Sequence, residues 1–255
     1  MPLNRRSFLG LSTILLTSPL PVFSSEKKSA KRILVYGDSN SFGWAWSPEK
    51  DIYRLPIDQI WPQVMAQKLG PDYEVEVNAL GGRTVKRDQK DGNGTDKSLS
   101  GKLFNGMVSL PAVLSENLPL DLVIIMLGTN DCKNHYRASA SLISKGLDQV
   151  IRKARLNASQ HFDLLVISPI HLGHGVGESD FDPEFDENSE VVSRNLAAEY
   201  RKVALQNHAA FLNAADYALP SITDREHLDE RGHAALADAI YAKIVALQKG
   251  LSNVI

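Results

Sequence analysis

Five short apolar runs punctuate the chain: Ile33-Leu34-Val35-Tyr36, Tyr73 to Val77, Leu122 to Leu127, Leu164 to Ile167, and Ala210 to Leu212. Their length and β-branched content predict strands. Between and after them apolar residues recur at a spacing near 3.6, the signature of helices with one buried face. Ile143, Leu147, Val150 and Ile151 form one such stripe; Val192, Leu196, Tyr200 and Val203 a second; Leu236, Ile240, Ile244 and Leu247 a third. Continuous apolar strands alternating with amphipathic helices predict a parallel sheet covered on both faces, because right-handed crossovers lay a helix over each strand pair. The expected fold is therefore α/β, a three-layer α/β/α sandwich. The second run departs from the others: Glu74 and Glu76 alternate with Tyr73, Val75 and Val77, which predicts an edge strand with one wet side.

Residues 1–25 follow a different pattern. Arg5-Arg6-Ser7-Phe8-Leu9-Gly10 leads an apolar stretch to Leu16, followed by Pro and Ser residues and then by Glu26-Lys27-Lys28. These are the parts of an export signal, and the paired arginines before Ser-Phe-Leu resemble the twin-arginine address of bacterial proteins exported already folded. The apolar run, broken by Ser12, Thr13, Thr17, Ser18 and Pro19, falls short of the roughly 20 residues of a spanning helix. No cysteine lies near Val22-Phe23-Ser24 to carry a lipid. The expectation is an exported, periplasmic or secreted protein without a stable membrane anchor, with a mature domain of residues 26–255.

Composition narrows the partners. Lys and Arg number 28 against 30 Asp and Glu; losing Arg5 and Arg6 with the signal moves the net charge from -2 to -4. Such a chain has no general attraction for nucleic acid or anionic lipid. The single cysteine, Cys132, forms no intramolecular disulfide and builds no thiolate metal cage. Neither a metal nor a cofactor is expected.

In parallel sheets ligands bind beyond the carboxyl ends of the strands, so the residues just after each apolar run carry the chemical reading. They are Gly37-Asp38-Ser39-Asn40, Asn78 to Thr84, Gly128-Thr129-Asn130-Asp131, and Thr223-Asp224-Arg225-Glu226-His227 ahead of the final helix. A serine hydroxyl is a poor nucleophile at neutral pH, and a working one needs a base, an orienter for that base and donors for the oxyanion. Ser39 is the candidate nucleophile, His227 the base, and Asp224 the carboxylate that fixes the imidazole tautomer. The N–H groups of Ser39 and Gly82 and the side-chain amide of Asn130 are candidate oxyanion donors.

At these residues the chain resembles the SGNH hydrolases, the GDSL-type esterases, whose four signature residues are matched by Ser39, Gly82, Asn130 and His227. The blocks occur in family order across residues 33–233, and Leu118 to Asp131 with Gly81-Gly82-Arg83-Thr84 are similar to the bacterial arylesterase and acyltransferase branch. The resemblance implies a flavodoxin-like sheet of strand order 2-1-3-4-5, metal-free hydrolysis of small esters, and often a homo-oligomer. Two departures stand out. Asn40 replaces the leucine of the family name, at a position that varies; Arg225-Glu226 follows Asp224 where glycine is usual after the aspartate, placing extra charge beside the base.

The expected activity is hydrolysis of short acyl esters, acetyl groups on carbohydrates or on aryl or alkyl alcohols, with a small-molecule ester as the partner. The alternatives are a non-catalytic carbohydrate-binding module of the same fold, or a thioesterase or lysophospholipase using the same residues. An α/β-hydrolase is disfavoured because Gly-Asp-Ser-Asn-Ser lacks the second glycine of the nucleophile elbow. Asp91 to Asp96 has neither the sixth-position glycine nor the twelfth-position glutamate of a calcium loop and reads as a flexible loop. Asp131 and Asp229 read as helix caps, His233 as a helix-surface residue, and His171 and His174 as loop residues near the crevice. Cys132 adjoins Asp131 and so lies near the site; Trp44 and Trp46 either wall a substrate pocket or serve ordinary packing; residues 171–190 form a long connection suited to a lid or an interface.

Overall fold

All five apolar runs are strands of one parallel sheet in the computed structural model, which describes residues 29–89 and 100–250. The proposed export signal and the loop Asp91 to Asp96 lie outside the described residues. In chain order the elements are β1 (Lys31–Gly37), α1 (Ser39–Phe42), β2 (Trp44–Ser47), β3 (Asp51–Arg54), α2 (Trp61–Leu69), β4 (Tyr73–Ala79), α3 (Gly106–Asn117), β5 (Leu122–Met126), α4 (Ala140–Asn157), β6 (Asp163–Ser168), α5 (Glu187–Gln206), β7 (Ala210–Asn213) and α6 (Glu230–Gln248). The sheet runs β4-β1-β5-β6-β7. With the β2–β3 hairpin set aside, this is the 2-1-3-4-5 order. β4 is an edge strand with Glu74 and Glu76 exposed, as the alternation predicts.

Alternate residues of each strand feed the two faces. Leu34, Tyr36, Val123, Ile125 and Val166 pack with Leu110 and Leu114 of α3, Ile143 and Leu147 of α4, and Leu196 and Tyr200 of α5. Ile33, Val35, Ile124, Leu165 and Ile167 pack with Trp61 and Met65 of α2 and with Leu236, Ile240 and Ile244 of α6. Each fully buried side chain of this kind contributes about 1.5–3 kcal/mol. The helices start where capping chemistry places them: Asn105, Ser139, Asp186 and Asp229 each accept a backbone N–H of the first turn. Asp229 is thus the cap that the sequence suggests.

His233 is not at a helix surface. It is fully buried on α6, and its Nδ1 accepts the backbone N–H of Trp61, 3.2 Å away, at the start of α2. That N–H has no partner within its own helix, and the ring therefore serves as a cap delivered from another element. Burial, reinforced by the charge of His227, pushes the His233 pKa down to about 4. A histidine bound neutral in the fold adds stability that is fully present above its unfolded pKa near 6.5 and is lost as pH falls toward the folded value. The expected result is that His233→Gln, which does not titrate, flattens the pH dependence of urea unfolding. The difference is on the order of 2 kcal/mol between pH 7 and pH 4.5; parallel pH curves for the two proteins would contradict it.

Candidate active site

β1 ends at Gly37, and the chain turns at once into the single helical turn of α1. Asp38 caps that turn, its Oδ1 accepting the N–H of Asn40 at 3.0 Å, and Ser39 is its first residue, 2% exposed. Glycine is required at position 37, since a Cβ there would lie 2.1 Å from the Ser41 hydroxyl oxygen. The Asn40 side chain spans the crevice. Its Nδ2 donates to the carbonyl of Glu226 at 3.4 Å, and its Oδ1 accepts from the N–H of Leu228 at 2.9 Å. One side chain thereby clamps the turn bearing Ser39 to the segment bearing His227.

That segment is ordered by its own aspartate. Asp224 Oδ1 accepts the N–H groups of Glu226 and His227 at 3.0 and 2.9 Å, and Oδ2 lies 3.0 Å from His227 Nδ1. Both side chains are buried. Burial alone would raise the Asp224 carboxyl, but the hydrogen bond and charge of His227 outweigh it and hold the group below the usual carboxylate range. For His227 burial favours the neutral ring, yet Glu226, Asp224 and Asp38 together hold the pKa up at about 9. The Nε2 atom is buried without a hydrogen-bond partner among the described residues, and the ring can take a proton there only in its deprotonated form, which the surrounding carboxylates oppose.

Arg225, which stands where glycine is usual in the resemblance, adopts φ 62°. The backbone keeps the left-handed conformation that glycine takes freely, and the arginine is held in it by neighbours. Its carbonyl accepts the Gly173 N–H at 2.8 Å, and its Nη1 donates to the Gly175 carbonyl at 2.5 Å.

The remaining site residues follow β4 and β5. Gly82 has φ 82°, and a Cβ there would sit 2.8 Å from the Gln89 amide. Asn130 is buried in a single 3-10 turn, one Nδ2 hydrogen donated to the Arg83 carbonyl at 3.2 Å. An amide nitrogen carries two hydrogens, so a second remains for a ligand. Arg83 braces this corner: its guanidinium donates to the carbonyls of Gly37 and Asn78 at 2.9 and 2.7 Å and stacks over Tyr36. Asp131 is not a cap of the following turn. Its Oδ2 accepts the Val85 N–H at 2.7 Å, fixing the β4 loop to the β5 loop.

The two tryptophans lie on β2. Trp44 stands edge-on to His227 with ring centres 6.5 Å apart, and Trp46 packs on Phe181, which itself meets His227 at 5.3 Å. Phe181 belongs to the 171–190 connection, tied down where Lys133 Nζ meets Asp182 and Glu184 at 2.9 and 2.7 Å. His174, paired loosely with Glu190, is exposed as expected of a loop residue. Cys132 belongs to the core cluster beneath α4 and α5, its thiol pushed well up by burial and by Asp131. Among the described residues no group of three or more His, Cys, Asp or Glu side chains is arranged to hold a metal ion.

A family model for the GDSL-like lipase/acylhydrolase family matches residues 35–235. No curated protein matches the sequence. Among solved structures, the native M. Smegmatis aryl esterase is 31% identical with a TM-score of 0.73, the match covering 86% of this chain and 100% of that one. Est24, a carbohydrate acetylesterase from Sinorhizobium meliloti, is 29% identical with a TM-score of 0.73, over 85% of this chain and 99% of that one.

Proposed function

Because the chain belongs to the GDSL-like lipase/acylhydrolase family and is a carboxylic ester hydrolase, we propose that it cleaves short acyl esters, acetyl esters of carbohydrates or aryl alcohols, through an acyl-enzyme on Ser39. The observation that carries this reading is the buried Asp224–His227 pair, 3.0 Å apart and clamped by Asn40 to the Ser39 turn. Ser39 Oγ attacks the ester carbonyl while His227 Nε2 takes its proton. Asp224 keeps the remaining proton on Nδ1 and stabilises the imidazolium. The N–H groups of Ser39 and Gly82 and the free hydrogen of Asn130 Nδ2 receive the oxyanion, each worth about 3–4 kcal/mol in the transition state. His227 then protonates the leaving alkoxide, and water repeats the sequence on the acyl-enzyme. The similarity to a carbohydrate acetylesterase supports an acetyl group, and the similarity to an aryl esterase supports an aryl alcohol. The amino-terminal twin-arginine-like segment supports action outside the cytoplasm.

Incubation of the folded protein with a serine-directed phosphonate, followed by peptide mass mapping, tests the assignment. The expected adduct is stoichiometric, falls on Ser39 and abolishes turnover of p-nitrophenyl acetate. Absence of an adduct would favour a non-catalytic binding module, and an adduct on another serine would move the nucleophile.

A further inference from the structure

Glu226 is 3% exposed, and whereas Asp38 caps the Ser39 turn, Asp224 orients the base and Asp131 ties two loops together, Glu226 Oε2 takes no hydrogen bond among the described residues. Its Oε1 lies 3.8 Å from His227 Nε2, beyond hydrogen-bond range. The backbone does not explain this placement, because the N–H of Glu226 goes to Asp224 and its carbonyl to Asn40. Lys133, whose charge also acts on Glu226, is bound to Asp182 and Glu184. A buried carboxylate with an unused oxygen is costly unless something supplies a donor, and an ionised carboxylate can only accept.

The position of Glu226 limits what that donor is. Nε2 is the nitrogen that returns the proton to the leaving oxygen, so a group beside Nε2 is also beside the alcohol half of the ester. We propose that Glu226 is a specificity-determining residue that accepts a hydrogen bond from a free hydroxyl on the carbon next to the esterified one. The preferred substrates are then partially acylated polyols and sugars, rather than isolated phenol or alkyl esters. The flanks of the site agree with this chemistry: the Trp44 and Phe181 rings against His227 offer apolar surface to the C–H face of a sugar ring.

This inference rests on the esterase reading of the Ser39 site, and the test separates the two. kcat/KM would be measured at pH 8 for three acetates: a glycoside monoacetate with a free neighbouring hydroxyl, the same compound with that hydroxyl O-methylated, and p-nitrophenyl acetate. The proteins compared are wild type, Glu226→Gln and Glu226→Ala. Removing Glu226 also changes the charge on His227, which alters all three rates, but the ratio of hydroxyl to O-methyl substrate cancels that change. Wild type is expected to favour the free hydroxyl by about tenfold or more, in line with a charge-assisted hydrogen bond. Glu226→Ala is expected to bring the ratio near one, and Glu226→Gln, which keeps an acceptor oxygen and the side-chain shape, to fall between. A ratio unchanged by Glu226→Ala, with only the pH profile moved, would overturn the proposal and leave Glu226 as a group that sets the charge of His227. Failure of wild type to hydrolyse any of the three would instead sink the esterase reading itself.

Discussion

Ser39→Ala is expected to lower kcat for p-nitrophenyl acetate by about 10⁴-fold or more while leaving the folded structure intact. The size follows from what the substitution deletes. The acyl-enzyme route disappears, and only substrate binding and the oxyanion donors remain to help water attack directly. Two of the three proposed donors, the Gly82 N–H and Asn130 Nδ2, do not depend on the serine side chain, and the Ser39 N–H survives the change to alanine. The fold should survive too, because the turn is held by Asp38 and by Asn40, neither of which is altered. Steady-state kinetics together with circular dichroism check this, and a variant that retains a rate close to wild type would remove Ser39 from the mechanism.

Asp224→Asn should cost almost as much, a fall in kcat of about 10⁴-fold. Asparagine retains an oxygen that can accept the N–H groups of Glu226 and His227, now taken by Oδ1, so the loop keeps its shape. Its NH₂ then faces His227 Nδ1 where Oδ2 was. A donor at that position selects the tautomer with the proton on Nε2, and a protonated Nε2 cannot take the proton of Ser39. The negative charge that helps hold the imidazolium is lost as well. Activity of the variant near that of wild type would show that another group orients the base. A large loss of melting temperature would show that the carboxylate is chiefly a brace of its loop.

The sheet was legible in the sequence because its strands are short unbroken apolar runs and three of its helices keep a 3.6 repeat. α3 was harder to see, being apolar on most sides and carrying Pro111, and α2 is only nine residues long with Pro62 in its first turn. The site residues Ser39, Gly82 and Asn130 stand just beyond strand ends, and Asp224 and His227 just ahead of the final helix, where position along the chain already suggests a crevice. The residues that hold them together were not legible, for a common reason. Asn40, Arg83, Asp131 and His233 act through partners far away in the chain, and a polar side chain carries no local mark of a distant partner. His233 shows the cost most clearly, because a histidine in a helix looks the same whether it faces water or caps another helix.

The Asn40 clamp joins atoms 186 and 188 residues apart in the chain. Contacts of that span form late, after much loop-closure entropy has been overcome. On the ribosome, where a chain folds from its amino end, β1 and the Ser39 turn emerge long before the segment that carries the base. A nascent chain that has not yet reached His227 therefore carries Ser39 as an ordinary alcohol, and hydrolytic competence arrives only once the Asp224–His227 segment has been made and docked.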